Sequence, residues 1–212
     1  RAREAQALGA AMLMMMPPYH GVGIAPGAQG IFEHFEAVNT AVAVPIMVQD
    51  APLSGVTLTV DLLARLAREL EQCASLKNEC PFAADKRSAL LEAAGPHIVG
   101  PFDGEEAVTL LADLDAGATG TMTSALFPEQ IRPIVMSYLA GDHAAALAQW
   151  KRCVPLINHE NRQCGLRATK AAMKEGGVIR SDFVRHPLQP LSERTRQELA
   201  SEMDILALRW GK

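Results

Sequence analysis

The feature that most constrains this chain is an alternation of short apolar runs with amphipathic stretches between Ala11 and Ser124. The apolar runs cover residues 11–16, 44–48, 73–79, 97–101 and 118–124. Several end in turn-forming or polar residues, such as Pro17-Pro18 and Gln49-Asp50-Ala51-Pro52. The stretches between them read as helices. Residues 29–39 set Ile31, Phe32, Phe35 and Val38 on one face, and 60–71 opens after Thr59 with Asp61 in its first turn. Residues 86–94 stop at Gly95, and 105–115 are closed by Gly117. Strands alternating with helices of this length imply parallel βαβ units. Runs apolar on both faces fit a parallel sheet covered by helices. From Pro128 onward only helical signals occur, punctuated by Pro133 and Pro155 and ended by Gly176-Gly177.

Five strand–helix units do not close a barrel of eight. A unit takes about 30 residues, so three more would need roughly 90. Residues 1–8 already read as a helix in progress, with Ala2, Ala5 and Leu8 at helical spacing and Gly9 as its stop. The expectation is therefore an α/β fold: either the later five units of a (β/α)8 barrel, with an upstream segment preceding this chain, or an open doubly wound sheet. Periodicity does not choose between them. The expected division is residues 1–127 as barrel and 128–212 as last barrel helix plus a C-terminal helical extension.

Composition narrows the partners. A net charge of -4 leaves no basic footprint for nucleic acid. No apolar run approaches the ~20 residues of a membrane helix. Cys73, Cys80, Cys153 and Cys164 show no C-x-x-C spacing and read as reduced thiols of a cytoplasmic protein.

Few motifs carry chemistry. Gly21-Val22-Gly23-Ile24-Ala25-Pro26-Gly27 resembles a dinucleotide loop only superficially: the glycine spacing is wrong and Pro26 removes an amide. The methionines at 12, 14, 15 and 16 are core filling. Tyr19-His20 follow them at a strand end, where a loop role is the simpler reading. His159-Glu160 lacks the second histidine of a zinc helix, since position 163 is Gln163. Ser75-Leu76-Lys77-Asn78-Glu79 is different. Alternation puts Lys77 and Glu79 on one face at the C-terminal end of a strand, where active sites of parallel α/β folds lie. A lysine facing inward must pair or lose its proton, and desolvation favours the neutral, nucleophilic amine. The neighbouring carboxylate is placed to move protons. A plain Lys–Glu ion pair satisfies the same pattern.

Together the motifs resemble a family. Met16-Pro17-Pro18-Tyr19-His20, Pro45-Ile46-Met47-Val48-Gln49-Asp50-Ala51-Pro52, Leu76-Lys77-Asn78-Glu79 and Gly117-Ala118-Thr119-Gly120 occur in the order of the dihydrodipicolinate synthase / N-acetylneuraminate lyase superfamily. Arg185-His186-Pro187-Leu188 is similar to its C-terminal signature. The Gln-Asp-Ala-Pro stretch, Gly100-Pro101-Phe102-Asp103-Gly104-Glu105-Glu106 and Leu156-Ile157-Asn158-His159-Glu160-Asn161-Arg162-Gln163 look like its L-2-keto-3-deoxyarabonate dehydratase subgroup. The resemblance implies a (β/α)8 barrel with C-terminal helices, a homotetramer, and Lys77 as the amine that forms an imine with a small 2-keto acid. It implies no metal and no organic cofactor, because the lysine supplies the electron sink. Gln49 stands where most of the superfamily has a proton-relaying tyrosine, and an amide is no general acid. That favours a dehydratase acting on a 2-keto-3-deoxy sugar acid, with Glu79 moving protons and Gln49 orienting a hydroxyl or water. Tyr19, His20, Gly100, Asp103 and Thr123 are the further candidates for the substrate pocket. The alternatives are a pyruvate-dependent aldolase of the same superfamily and a non-catalytic barrel protein.

Overall fold

The structure, a computed structural model, describes residues 1–19 and 26–206. Helix α1 (Ala2–Ala7) runs into Gly9, whose φ of +92° suits a residue without Cβ. Strand β1 (Leu13–Met15) precedes α2 (Ala28–Asn39), which buries Ile31, Phe32 and Phe35. Strand β2 (Ile46–Asp50) leads into α3 (Val60–Glu69). There Thr59 Oγ1 accepts from the Leu62 amide at 3.2 Å and caps the helix. Strand β3 (Ser75–Asn78), buried along its whole length, is followed by α4 (Ala83–Ala94). Strand β4 (Phe102–Asp103), helix α5 (Leu110–Asp115) and strand β5 (Gly120–Thr121) complete the alternation.

All five strands are parallel, in the order β1-β2-β3-β4-β5. That order decides between the two rival folds. A doubly wound sheet reverses direction at a switch point, whereas a barrel adds each strand beside the last.

The elements differ from the expected ranges in four places. Strand β2 ends at Asp50, so Gln49 lies within the ladder and not in the loop after it. The fourth strand is not at 97–101: Gly95–His97 form a 3₁₀ turn and pairing begins at Phe102. Pro96 and Pro101 explain this, since neither has an amide hydrogen to give a ladder. Helix α5 starts at Leu110 instead of 105, because Glu106 and Ala107 take positive φ values of 56° and 67°. Strand β5 is confined to two residues of the expected seven. The proline punctuation also failed. Pro133 lies inside α6 (Pro128–Leu139) and Pro155 inside α7 (His143–His159). Each proline removes one hydrogen bond, and buried neighbours Ile131, Ile134, Leu156 and Ile157 hold the helices across the gap.

The chain forms two compact units. The first comprises residues 1–105 and 112–121. Its core lies between the sheet and its helices, around Phe35, Ile46, Val48, Leu66, Leu76 and Leu90. Within it Arg87 of α4, wholly buried, pairs with Asp113 of α5 at 2.6 Å. The second unit comprises residues 106–111 and 122–212. It contains α6, α7, a π-helical turn (Glu160–Cys164), α8 (Leu166–Glu175) and α9 (Glu193–Ile205). Among the described residues no helix is long and apolar enough to cross a membrane. All four cysteines are free thiols.

Candidate active site

The site is built on the pairing of β2 with β3. In their parallel register Gln49 lies opposite Lys77 and Asp50 opposite Asn78. Paired residues share a face, and neighbours along a strand point to opposite faces. Ile46, Val48 and Leu76 belong to the core beneath the helices. Gln49 and Lys77 therefore face the other way, toward the interior that a barrel encloses. Lys77 is only 7% exposed.

Glu79 directly follows β3, on the same side as the lysine. Its amide donates to the Asp50 carbonyl at 2.8 Å. Its carboxylate is divided between two donors: Oε1 pairs with Lys77 Nζ, and Oε2 accepts from Gln49 Nε2 at 3.0 Å. Gly104 makes this possible. A Cβ there would collide with Glu79 Cγ and lie 2.7 Å from the Asn78 carbonyl oxygen and 3.0 Å from Lys77 Cγ. An amine, a carboxylate and an amide thus converge at the C-terminal ends of two parallel strands. The carboxylate can take the proton that the amine must lose to become a nucleophile. The amide holds that carboxylate in place and can donate and accept hydrogen bonds, but it delivers no proton.

The opposite face of the same strands carries a second polar group. Asp50 is 2% exposed, and its Oδ2 accepts from Asn78 Nδ2 at 3.2 Å and Cys80 Sγ at 3.2 Å, and pairs with Lys86 Nζ at 2.7 Å. Burial, reinforced by the Asp50 carboxylate, pushes the Cys80 thiol up to about 11, so it remains a protonated donor.

Residues 1–206 match the dihydrodipicolinate synthetase family. The chain belongs to that family. It is 53% identical, over its whole length, to an L-2-keto-3-deoxyarabonate dehydratase of Azospirillum brasilense and covers 69% of that protein. It is 30% identical to a 4-hydroxy-tetrahydrodipicolinate synthase of Rhodopseudomonas palustris, with 95% of this chain and 67% of the relative aligned. Among solved structures, dihydrodipicolinate synthase from Rhodopseudomonas palustris superposes with a TM-score of 0.86 at 26% identity, over 96% of this chain and 69% of that one. The Aquifex aeolicus synthase gives 0.88 at 23%, over 100% and 71%, a likeness of fold. The five parallel units are thus the later part of a (β/α)8 barrel, as the strand order requires.

The remaining candidates are spread out. Tyr19 is 53% exposed beside Met16, Pro17, Pro18 and His34 in a shallow hollow. His20 lies outside the described residues. Gly100 occupies the left-handed region at φ +58° and its carbonyl accepts from Ser75 Oγ at 3.4 Å. Asp103 is wholly buried opposite Asn78, on the face turned from Lys77. Its carboxylate accepts from Thr121 Oγ1 at 2.7 Å and the Glu105 amide at 2.8 Å, so it ties β4 to β5. Thr123 belongs to the second unit, where its hydroxyl donates to the Glu106 carbonyl at 3.4 Å. His159 Nδ1 meets Glu202 at 2.8 Å, while Glu160 accepts from Thr169, and burial raises the Glu160 carboxyl. The structure therefore brings together Gln49, Lys77 and Glu79. Sequence reading missed Gly104 and the Asp50–Lys86 pair. The signal for the pair was a carboxylate one residue past Gln49, on the apolar face of the strand.

Proposed function

We propose that this protein is a class I, imine-forming dehydratase of a 2-keto-3-deoxy sugar acid, converting L-2-keto-3-deoxyarabonate to 2,5-dioxopentanoate and water. The observation that carries the reading is the carboxylate of Glu79 divided between Lys77 and Gln49. The 53% identity to a protein of that activity supports the substrate.

In this mechanism the Lys77 amine, its proton passed to Glu79, adds to the ketone carbon. Glu79 returns that proton to the carbinolamine hydroxyl, which leaves as water and gives the protonated imine. The imine acidifies the adjacent methylene, and Glu79 takes one of its protons. The resulting enamine expels the hydroxyl at carbon 4, which leaves as water with a proton returned by the acid. Tautomerisation and hydrolysis release the dioxo acid and regenerate the lysine. Gln49 holds Glu79 and orients a substrate hydroxyl or water. Tyr19 and Gly100 are the further substrate-binding residues of this reading, while Asp103 supports the site from behind the sheet. The lysine is the electron sink, so the cycle uses no metal and no organic cofactor. The assembly is a cytoplasmic homotetramer, with residues 1–127 as barrel and 128–212 as the last helix and C-terminal extension.

Product analysis tests the reaction. The full-length protein given L-2-keto-3-deoxyarabonate should yield 2,5-dioxopentanoate. Pyruvate and glycolaldehyde as main products would overturn the dehydratase and establish the aldolase. Retro-aldol cleavage needs a base for the substrate hydroxyl, a task that the Gln49 amide does not perform. Gln49→Tyr is accordingly expected to leave dehydration no faster.

A further inference from the structure

The reaction face of β2–β3 is fixed by a network on its other side. Asp50 stands between the two. Its carbonyl receives the Glu79 amide, and its carboxylate receives Asn78 of β3 and Lys86 of α4. Asn78 follows Lys77 directly, and Asp50 follows Gln49 directly. The Asp50–Asn78 bond therefore closes β2 onto β3 at the step next to the Gln49–Lys77 pair. Cys80, one residue beyond Glu79, donates to the same oxygen. The segment that carries Glu79 beside the lysine is thus held at Asn78, Glu79 and Cys80, all by Asp50.

Burying the Asp50–Lys86 pair is costly, and such pairs contribute little net stability. Their effect is geometric: an oxygen that receives three donors restricts how the strand ends and α4 can be arranged. Lys86 approaches from α4, with 15% of its side chain exposed. We infer that Asp50, set by Lys86, is the positioning residue that holds the Glu79 carboxylate in reach of both the Lys77 amine and the carbon acid of the bound substrate. The inference rests on the proposed imine chemistry and adds a residue to it that acts through Glu79.

Two readouts on the full-length protein separate imine formation from proton transfer. Borohydride trapping of pyruvate reports the imine on Lys77. Exchange of the pyruvate methyl protons with deuterium from solvent reports removal of a proton next to that imine. Asp50→Asn is expected to keep trapping while exchange falls roughly 10- to 100-fold, as displacement of a catalytic group by a mutation behind it commonly does. In a Glu79→Gln background the same substitution should cost under about twofold more, since it has no carboxylate left to position. Lys86→Gln reaches the network from the helix without altering either strand, and should lower the exchange-to-trapping ratio as well, while Lys86→Arg restores it. If Asp50→Asn does not fold, Lys86→Gln carries the test alone. An unchanged ratio of exchange to trapping, or equal loss of both, overturns the positioning role. Absence of trapping in the parent protein would instead refute the imine reading on which it rests.

Discussion

Two buried ion pairs lie ten positions apart in this chain and do different things. Lys77 pairs with Glu79 at the end of β3, with side-chain exposures of 8% and 19%. Arg87 pairs with Asp113 at 2.6 Å, with exposures of 0% and 1%. By charge alone they are the same motif. They differ in what their cations can become. A guanidinium stays protonated and spends its donors on fixed acceptors, here the Asp113 carboxylate and the carbonyls of Asp113 and Phe102. An ammonium can pass its proton to the facing carboxylate and become a nucleophile. The inner pair is a tie between two helices. The strand-end pair is, in the proposed mechanism, the acid–base couple.

Exchanging the two cations tests this contrast hardest. Lys77→Arg preserves the charge and the contact with Glu79 but removes the amine proposed to form the imine, and turnover should fall to the uncatalysed background. Arg87→Lys should leave turnover of the folded protein within about twofold of the parent and lower its stability. Loss of activity in Arg87→Lys at full folding, or its survival in Lys77→Arg, would erase the distinction.

Next in size is Glu79→Gln. The carboxamide keeps the shape and the hydrogen-bonding reach but not the proton. Turnover should drop by about 100-fold while trapping on Lys77 persists. Unchanged turnover would reduce this pair to the kind represented by Arg87 and Asp113. The counterpart on the structural side is Arg87→Met, which strands the buried Asp113 carboxylate. Chemical denaturation should show a loss of about 3–5 kcal/mol.

The sequence made one half of this contrast legible. Lys77 and Glu79 are two apart in an apolar run, so a common face follows from strand geometry alone. The core face of α2 was equally readable from the spacing of Ile31, Phe32 and Phe35. Arg87 and Asp113 are 26 positions apart on two helices, and their meeting depends on how α4 and α5 pack. The same holds for Asp50 and Lys86. Gly104 was hidden for another reason: its importance lies in atoms it lacks, seen only once Glu79 is known to fill that space. Strand ends were misplaced where prolines withhold amides, at 96 and 101, and where positive φ at Glu106 and Ala107 delays a helix. Tyr19, Gly100 and Thr123 lie outside the regular strands and helices, where periodicity places no side chain.

A third pair, on the surface, gives the smallest effect. Asp182 is held down to about 2 by hydrogen bonds from Lys174, first, and Arg196, at 3.0 and 2.7 Å. A carboxyl depressed on folding adds stability that is present above its ordinary range and lost as pH falls through its folded value. The contribution should therefore be intact at neutral pH and vanish between roughly pH 4 and pH 2. Exposed pairs are worth at most about 1 kcal/mol, so Asp182→Asn should lower the melting temperature slightly at pH 7 and by much less at pH 2. An equal shift at both values would assign the effect to packing.

The central claim is that Lys77 is the reacting amine, and borohydride reduction in the presence of pyruvate tests it most directly. Mass spectrometry of peptides from the full-length protein should place one reduced pyruvyl group on Lys77, and Lys77→Arg should abolish it. A protein that gains no adduct, or carries it on Lys86 or Lys170, contradicts the account.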